Sequence, residues 1–154
     1  MGEEQITKSL NILRGAVNKI YEKQASSLSF EELYWNAYTL VINKHGKTLY
    51  KEIIESVKRN ILPYLEILKK TEESEYLQKI NELWDNHNTS LGMVSDISMY
   101  LDKNYVVKEK MKSILESGLL LFKKNIFWDN EVHKNFLDLV YGMIEDEWNG
   151  KKIP

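Results

Sequence analysis

Histidine is the residue type in this chain best able to hold a metal or to move a proton near neutral pH, and the chain has three. A di-iron site in a helical bundle needs a glutamate three positions before a histidine on one helix face. The residues at that offset before His45, His87 and His133 are Ile42, Trp84 and Asn130. The zinc-protease spacing H-E-x-x-H is also absent from the sequence. We therefore predict no metal site and no cofactor.

Other catalytic patterns are missing as well. The chain has no cysteine, which excludes thiol catalysis, disulfides and Cys-ligated zinc. It has no phosphate-binding glycine loop and no G-x-S-x-G nucleophile motif. His87 falls on the apolar stripe of a predicted helix, so we interpret it as a hydrogen-bonded core histidine. His45 is interpreted as a helix-end residue that the helix dipole favours. We expect a chain that is not an enzyme.

The composition is that of one soluble domain, which we expect to span residues 1–154. Hydrophobic residues make up 43% and charged residues 29%, and only 7 Gly and 2 Pro interrupt the chain. The net charge of −2 gives no reason to expect nucleic acid or an anionic membrane as partner. The acidic N-terminus is unlike a signal peptide, and no apolar run approaches the ~18 residues of a membrane span. We expect a cytoplasmic or nuclear protein.

Apolar residues recur at three- and four-residue steps along almost the whole chain, which is typical of amphipathic helices. We predict six of them and an all-α fold. The predicted helices cover residues 5–23, 29–45, 47–69, 71–101, 107–126 and 131–148, with a turn at 102–105. Pro63 lies inside the third helix and predicts a kink or a break there. The fourth helix, at ~1.5 Å per residue, would be a rod of roughly 45 Å.

The second predicted helix has unusually complete start and stop signals. Ser29 is the expected N-cap, and Glu32 three residues later completes a capping box. Leu28 and Leu33 can form the matching hydrophobic staple. Gly46 is expected at the left-handed position that ends the helix.

The apolar arc of this second helix is too wide for one buried face. At 100° per residue it spans about 220°, roughly twice the ~100° stripe that faces a core. Phe30, Tyr34 and Tyr38 lie four residues apart along one edge of the arc. Aromatic residues presented in this way are typical of protein interfaces. Periodicity alone leaves open the alternative that the helix is simply buried on two sides.

Three segments of the sequence are similar to the cullin family, and to its cullin-3 type in particular. They are SLSFEELYWNAYTLVINKHGKTLY at residues 27–50, LWDNHNT at 83–89 and MYLDKNYV at 99–106. The first segment is highly specific and the other two support it. Weaker similarity continues to WNGK at 148–151, so that the resemblance covers nearly the whole chain.

The resemblance implies an all-α cullin repeat, a bundle of five helices followed by the first helix of the next repeat. It implies a scaffold of a cullin–RING E3 ubiquitin ligase whose N-terminal part binds the BTB domain of a substrate adaptor, commonly of the BTB-Kelch type. In the family the second helix and the turn before the fifth helix make this contact. The corresponding residues here are Ser29, Phe30, Glu31, Tyr34, Tyr38 and Tyr105. Phe30 would be the apolar anchor, while Ser29 has the competing role of capping the helix.

The sequence also departs from this pattern. Trp35 stands where animal cullin-3 proteins have a basic residue, and it is either a partner contact or a patch against the first helix. Only about four residues precede the first helix, where the family subtype often has an adaptor-contacting extension. The chain has no room for the region that recruits the RING subunit. We therefore expect a fragment of a longer cullin.

Two other functions are compatible with parts of this reasoning. One is a stand-alone cullin-like antagonist that occupies BTB adaptors without recruiting a ligase. The other is a helical-bundle enzyme or small-ligand carrier, which would require a polar cluster facing inward.

Overall fold

The computed structural model describes residues 1–150, and within that range it contains helices and no strand. The all-α prediction is therefore confirmed. The helices are α1 (Glu3–Tyr21), α2 (Phe30–Ile42), α3 (Gly46–Ile61), α4 (Tyr64–Lys69), α5 (Tyr76–Ile97), α6 (Met99–Leu101), α7 (Ile114–Phe122) and α8 (Asn130–Trp148). Two π-helical segments, Asp102–Val106 and Lys123–Phe127, continue α6 and α7. Short 3₁₀ turns at Ala25–Ser27 and Glu73–Glu75 lead toward α2 and α5.

The main core lies where α1, α2, α3, α5 and α7 pack against one another. Every one of these helices contributes side chains that are almost fully buried, because its apolar residues recur on one face. They include Leu13, Leu40, Ile53, Leu91 and Ile114. A second cluster joins the end of α3 to α4, the start of α5, the end of α7 and α8, and includes Ile61, Leu68, Phe122 and Val132.

Pro63 divides the predicted third helix. Helix α3 ends at Ile61, and Pro63 occupies the N-cap position of α4. Proline has no N–H to donate to the preceding turn, so the helix breaks here as predicted. The break lets Tyr64 and Leu68 turn into the second cluster.

The long rod predicted for residues 71–101 is shorter than expected. Helix α5 has 22 residues, which corresponds to about 33 Å. It ends at Ser98, whose backbone angles of φ −102° and ψ 12° leave the helical range. The chain then resumes as α6, so Leu101 still reaches the core although the axis is interrupted.

Two expectations about the segment between α6 and α7 were wrong. Residues 102–105 are not a turn, because they form the π-helical segment Asp102–Val106. The fifth helix was predicted to begin at residue 107, but α7 begins only at Ile114 and Val107 is 70% exposed. The neighbouring Val106 fills the core instead.

His87 is the core histidine that the sequence predicted. It is fully buried, with Nε2 2.8 Å from the Gly118 carbonyl oxygen and Nδ1 3.0 Å from the Tyr21 hydroxyl. A carbonyl oxygen only accepts, so Nε2 carries the proton and Nδ1 accepts from Tyr21. Burial lowers the pKa of His87, which keeps the imidazole neutral. His87 thereby joins α1, α5 and α7.

Candidate protein-binding surface

Helix α2 begins at Ser29, the N-cap that its sequence predicts. The Ser29 hydroxyl accepts a hydrogen bond from the Glu32 backbone N–H at 3.4 Å, and Ser29 has the extended backbone of an N-cap. Glu31 and Glu32 lie in the first turn, where their negative charges interact favourably with the positive end of the helix dipole. Ser29 and Glu31 are exposed, so the capping role of Ser29 leaves its outer side accessible.

The end of α2 differs from the prediction. The left-handed residue is Lys44, with φ 67°, and not Gly46. The His45 N–H bonds to the Leu40 carbonyl and the Lys44 N–H to the Val41 carbonyl, at 2.8 and 3.0 Å. This is the Schellman pattern with Lys44 at C′, two residues earlier than expected. His45 therefore lies just past the end of α2 and immediately before α3.

Only part of the wide apolar arc of α2 is buried. Leu33, Ala37 and Leu40 face the core. Phe30 packs partly against the same core, whereas Trp35 is 52% and Ile42 50% exposed. The alternative of a helix buried on two sides is therefore wrong.

The exposed side of α2 carries a row of contacting rings. The Trp35 ring lies edge-on to Tyr34 and Tyr38, with centroid distances of 6.0 and 5.1 Å. Tyr38 in turn lies 4.5 Å from the ring of Tyr100 on α6. We call Tyr34, Trp35, Tyr38 and Tyr100 the aromatic ridge. Pairs in such geometry stabilise one another by about 0.5–1.5 kcal/mol, so the ridge is partly ordered before any partner binds.

The structure separates the two interpretations of Trp35. The side of α2 that faces α1 bears Leu33 and Asn36, which line a groove with Ile12 and Gly15 of α1. Trp35 lies outside this groove and contacts the rings of its own helix neighbours edge-on. Trp35 is therefore not a patch against α1.

Tyr105 lies at the other end of this surface, on the π-helical segment. Its ring packs 6.0 Å from Tyr50 of α3 and lies over Gly46, where a Cβ would come within 2.9 Å of the Tyr105 Cβ. Gly46 is thus required for close approach and not for a left-handed turn. The segment is held to α7 by Asp102, whose carboxylate accepts from the Ile114 N–H at 3.0 Å.

The six residues predicted to bind a partner do not all share one face, because Ser29 also lines the groove against α1 and Phe30 packs partly against the core. Ser29 and Glu31 lie at the start of α2, and Tyr34 and Tyr38 lie within the ridge. Tyr105 lines a groove together with Val41 near the end of the helix. Thirteen residues of helix place the two ends about 20 Å apart.

Sequence reasoning missed Tyr100 and Ile42 as members of this surface. Tyr100 stands in the segment 99–106 that carries the family resemblance, which was the available signal. Its contact with Tyr38 arises because α6 packs against α2, and no local pattern predicts that packing.

Among residues 1–150 no group of three or more His, Cys, Asp or Glu side chains is placed to hold a metal ion. None of the helices described here is long and apolar enough to cross a membrane.

Comparison with known proteins identifies the family. A family model described as the cullin alpha solenoid domain matches residues 10–154. The chain belongs to the cullin family. It is 33% identical over 146 residues to Cullin-3 of Dictyostelium discoideum and 32% identical to Cullin-3B of Arabidopsis thaliana, each alignment covering 95% of this chain. It is 31% identical to Cullin-3 of Caenorhabditis elegans over 98% of this chain.

These alignments identify a cullin-3-type N-terminal repeat, as the three sequence segments predicted. They cover 19–20% of the relatives, so this cullin chain spans about a fifth of the length of the proteins it matches. The family assignment gives a scaffold protein of the cullin type.

Proposed function

We propose that this cullin chain is the adaptor-binding part of a cullin–RING E3 ubiquitin ligase and that it binds the BTB domain of a substrate adaptor. The contact surface is the outer side of α2, extended by Tyr100 of α6 and by Tyr105 of the π-helical segment. The chain makes and breaks no bond in this function. It holds the adaptor at a fixed place on a scaffold, in the cytoplasm or the nucleus.

The observation that carries the proposal is the aromatic ridge, in which Trp35 is exposed and Tyr34, Tyr38 and Tyr100 are partly exposed. Soluble proteins seldom leave large contiguous apolar areas open to water unless they form a binding site. Tyrosine and tryptophan are the residues that dominate binding energy at protein interfaces. Here Trp35 and Ile42 are half exposed and lie beside Tyr38 on the same side of one helix.

Phe30, the predicted anchor, and the aromatic ridge are expected to contribute differently to the free energy of binding. Phe30 is partly buried against the core, so its truncation removes core packing as well as a partner contact. Tyr38 makes its ring contacts within the ridge, with Trp35 and Tyr100. Tyr38 is therefore the cleaner position at which to test binding.

The test is titration calorimetry of this chain against purified BTB adaptors, with the Tyr38→Ala variant alongside. We expect the variant to lose about 2–4 kcal/mol of binding free energy, roughly 30-fold to several hundred-fold in affinity. Tyr141→Ala is the matched control, since Tyr141 is 64% exposed on α8, away from α2. Equal affinity of both variants and the parent would refute the assigned surface.

A further inference from the structure

We propose that the groove beside Tyr105 binds an acidic segment of the protein partner and that this electrostatic contact orients the partner on the aromatic ridge. This inference rests on the proposed function, because it concerns the same partner. It adds a charged contact, made by lysines that the aromatic surface does not include.

The groove lies between the end of α2, the start of α3 and the segment after α6. It has a volume of about 580 Å³, and its lining includes Val41, Lys44, Lys47, Tyr105, Lys108 and Glu109. Apolar side chains stand beside three lysines, which come from two separate stretches of chain. The groove therefore has room for side chains of a partner and a positive margin around them.

The charge around the groove is strongly one-sided. Residues 44–51 contain three lysines and no acidic residue, and residues 103–112 contain four lysines and one glutamate. All seven lysines are exposed. Among residues 1–150, none of them takes part in an ion pair within 4 Å. Within a chain whose net charge is −2, this is a local concentration of unneutralised positive charge.

The fold itself gains little from at least one of these charges. Lys44 lies just past the C-terminus of α2, where its positive charge interacts favourably with the negative end of the helix dipole. Lys47 lies in the first turn of α3, where the dipole disfavours a cation and the turn itself holds no acidic residue. The charge of Lys47 is therefore available to an external anion.

The position of the groove favours an acidic protein segment over a nucleic acid or an anionic membrane. The lysines form a small positive patch in a chain whose net charge is −2, so an extended polyanion would find few favourable contacts beyond it. Screening restricts the attraction of the lysines to about 8 Å at physiological salt, which suits a short acidic stretch. Tyr105 both lines the groove and belongs to the proposed BTB-binding surface, so one partner can reach both.

The decisive variant reverses two charges, Lys47→Glu together with Lys108→Glu. Both side chains are exposed, and a glutamate in the first turn of α3 is favourable, so the variant is expected to fold. The matched control reverses the exposed Lys8 of α1 and Lys124 after α7, neither of which lines the groove.

The first arm measures affinity for a BTB adaptor at 50 and 500 mM NaCl. We expect about a tenfold loss for the Lys47/Lys108 variant at low salt, shrinking to less than about threefold at high salt, and a change below about twofold for the control. An adaptor that binds the parent and this variant equally at both salt concentrations overturns the inference and leaves the proposed function intact.

The second arm does not depend on the adaptor. Octaglutamate is added to ¹⁵N-labelled protein, and we expect amide shifts confined to residues 44–47 and 104–109 that vanish in the Lys47/Lys108 variant. Absence of these shifts overturns the inference. Tighter binding of a short single-stranded RNA or of phosphatidylserine vesicles to the same amides also overturns it. If no BTB adaptor binds the parent, the proposed function fails, and the peptide result alone decides whether the groove takes an acidic segment.

Discussion

Replacing His87 with phenylalanine should destabilise the fold and change its dependence on pH. The phenyl ring can keep the stacking on Phe122, whose ring lies 5.4 Å away at 20°. It cannot donate to the Gly118 carbonyl or accept from the Tyr21 hydroxyl, which now make bonds of 2.8 and 3.0 Å. Two polar groups lose their partner in the substitution.

The magnitude follows from those two groups. An unsatisfied buried polar group costs about 1–3 kcal/mol. Because Tyr21 is only partly buried, its hydroxyl can regain some hydration, and we expect a total loss of about 2–4 kcal/mol in the free energy of unfolding. For a domain of this size that corresponds to a fall of about 5–15 °C in Tm. Tyr21→Phe removes one of the two bonds and should cost about 0.5–1.5 kcal/mol.

The same histidine predicts a pH effect. Burial lowers the pKa of His87 below its ordinary value of 6.5 in the folded chain. Below pH 6.5 the unfolded chain therefore binds a proton that the folded chain does not, and stability falls as the pH drops toward the folded-state pKa. The slope contributed by one such group is at most about 1.4 kcal/mol per pH unit. Above pH 7 the contribution to stability is complete.

The assay is urea denaturation of the parent and His87→Phe at several pH values between 7.5 and 5.5. His45 and His133 are present in both proteins, so their contributions cancel in the difference. We expect the stability advantage of the parent to shrink as the pH falls. A difference that stays constant over this range, or one below about 0.5 kcal/mol at pH 7.5, would refute the assignment of a neutral histidine bonded on both sides.

Three further substitutions test other parts of the structure. Ser29→Ala should remove the cap of α2 and cost about 1 kcal/mol, measured by thermal unfolding, and an unchanged Tm would show that the hydroxyl does not cap the helix. Gly46→Ala places a Cβ against Tyr105 and should shift the amide resonances around residue 105; unchanged spectra would contradict the close approach. Glu52→Ala leaves the Arg14 guanidinium without its carboxylate at a site where Glu52 is 9% exposed, and should cost about 1–2 kcal/mol in chemical denaturation. Unchanged stability of Glu52→Ala would show that the pair adds nothing.

Patterns that are local in sequence predicted their structures well. The cap of Ser29 depends on residues three apart, and the break at Pro63 depends on one missing N–H. The interpretation of His87 as a satisfied core residue was confirmed because its place on the apolar stripe forces burial, and a buried imidazole needs partners. Neither partner could be named from sequence, since Tyr21 and Gly118 lie 66 and 31 residues away.

Features that depend on packing between helices were predicted less well. Gly46 was assigned to the end of α2 because glycine commonly occupies the left-handed position, but Lys44 takes that position and Gly46 makes room for Tyr105. The width of the apolar arc on α2 indicated that the helix has an apolar face besides the one in the core, but it did not indicate whether that face is buried or exposed. The structure leaves Trp35 half exposed there and brings Tyr100 of α6 beside Tyr38.

The central claim is that the outer side of α2 binds a BTB domain, and calorimetric titration of a BTB adaptor into the parent chain and Tyr38→Ala tests it most directly. We predict measurable binding by the parent and a loss of about 2–4 kcal/mol in a variant that remains folded, with the far-UV circular dichroism of the parent. Binding that is unchanged by Tyr38→Ala, or no binding of any BTB adaptor by the folded parent, would contradict the claim.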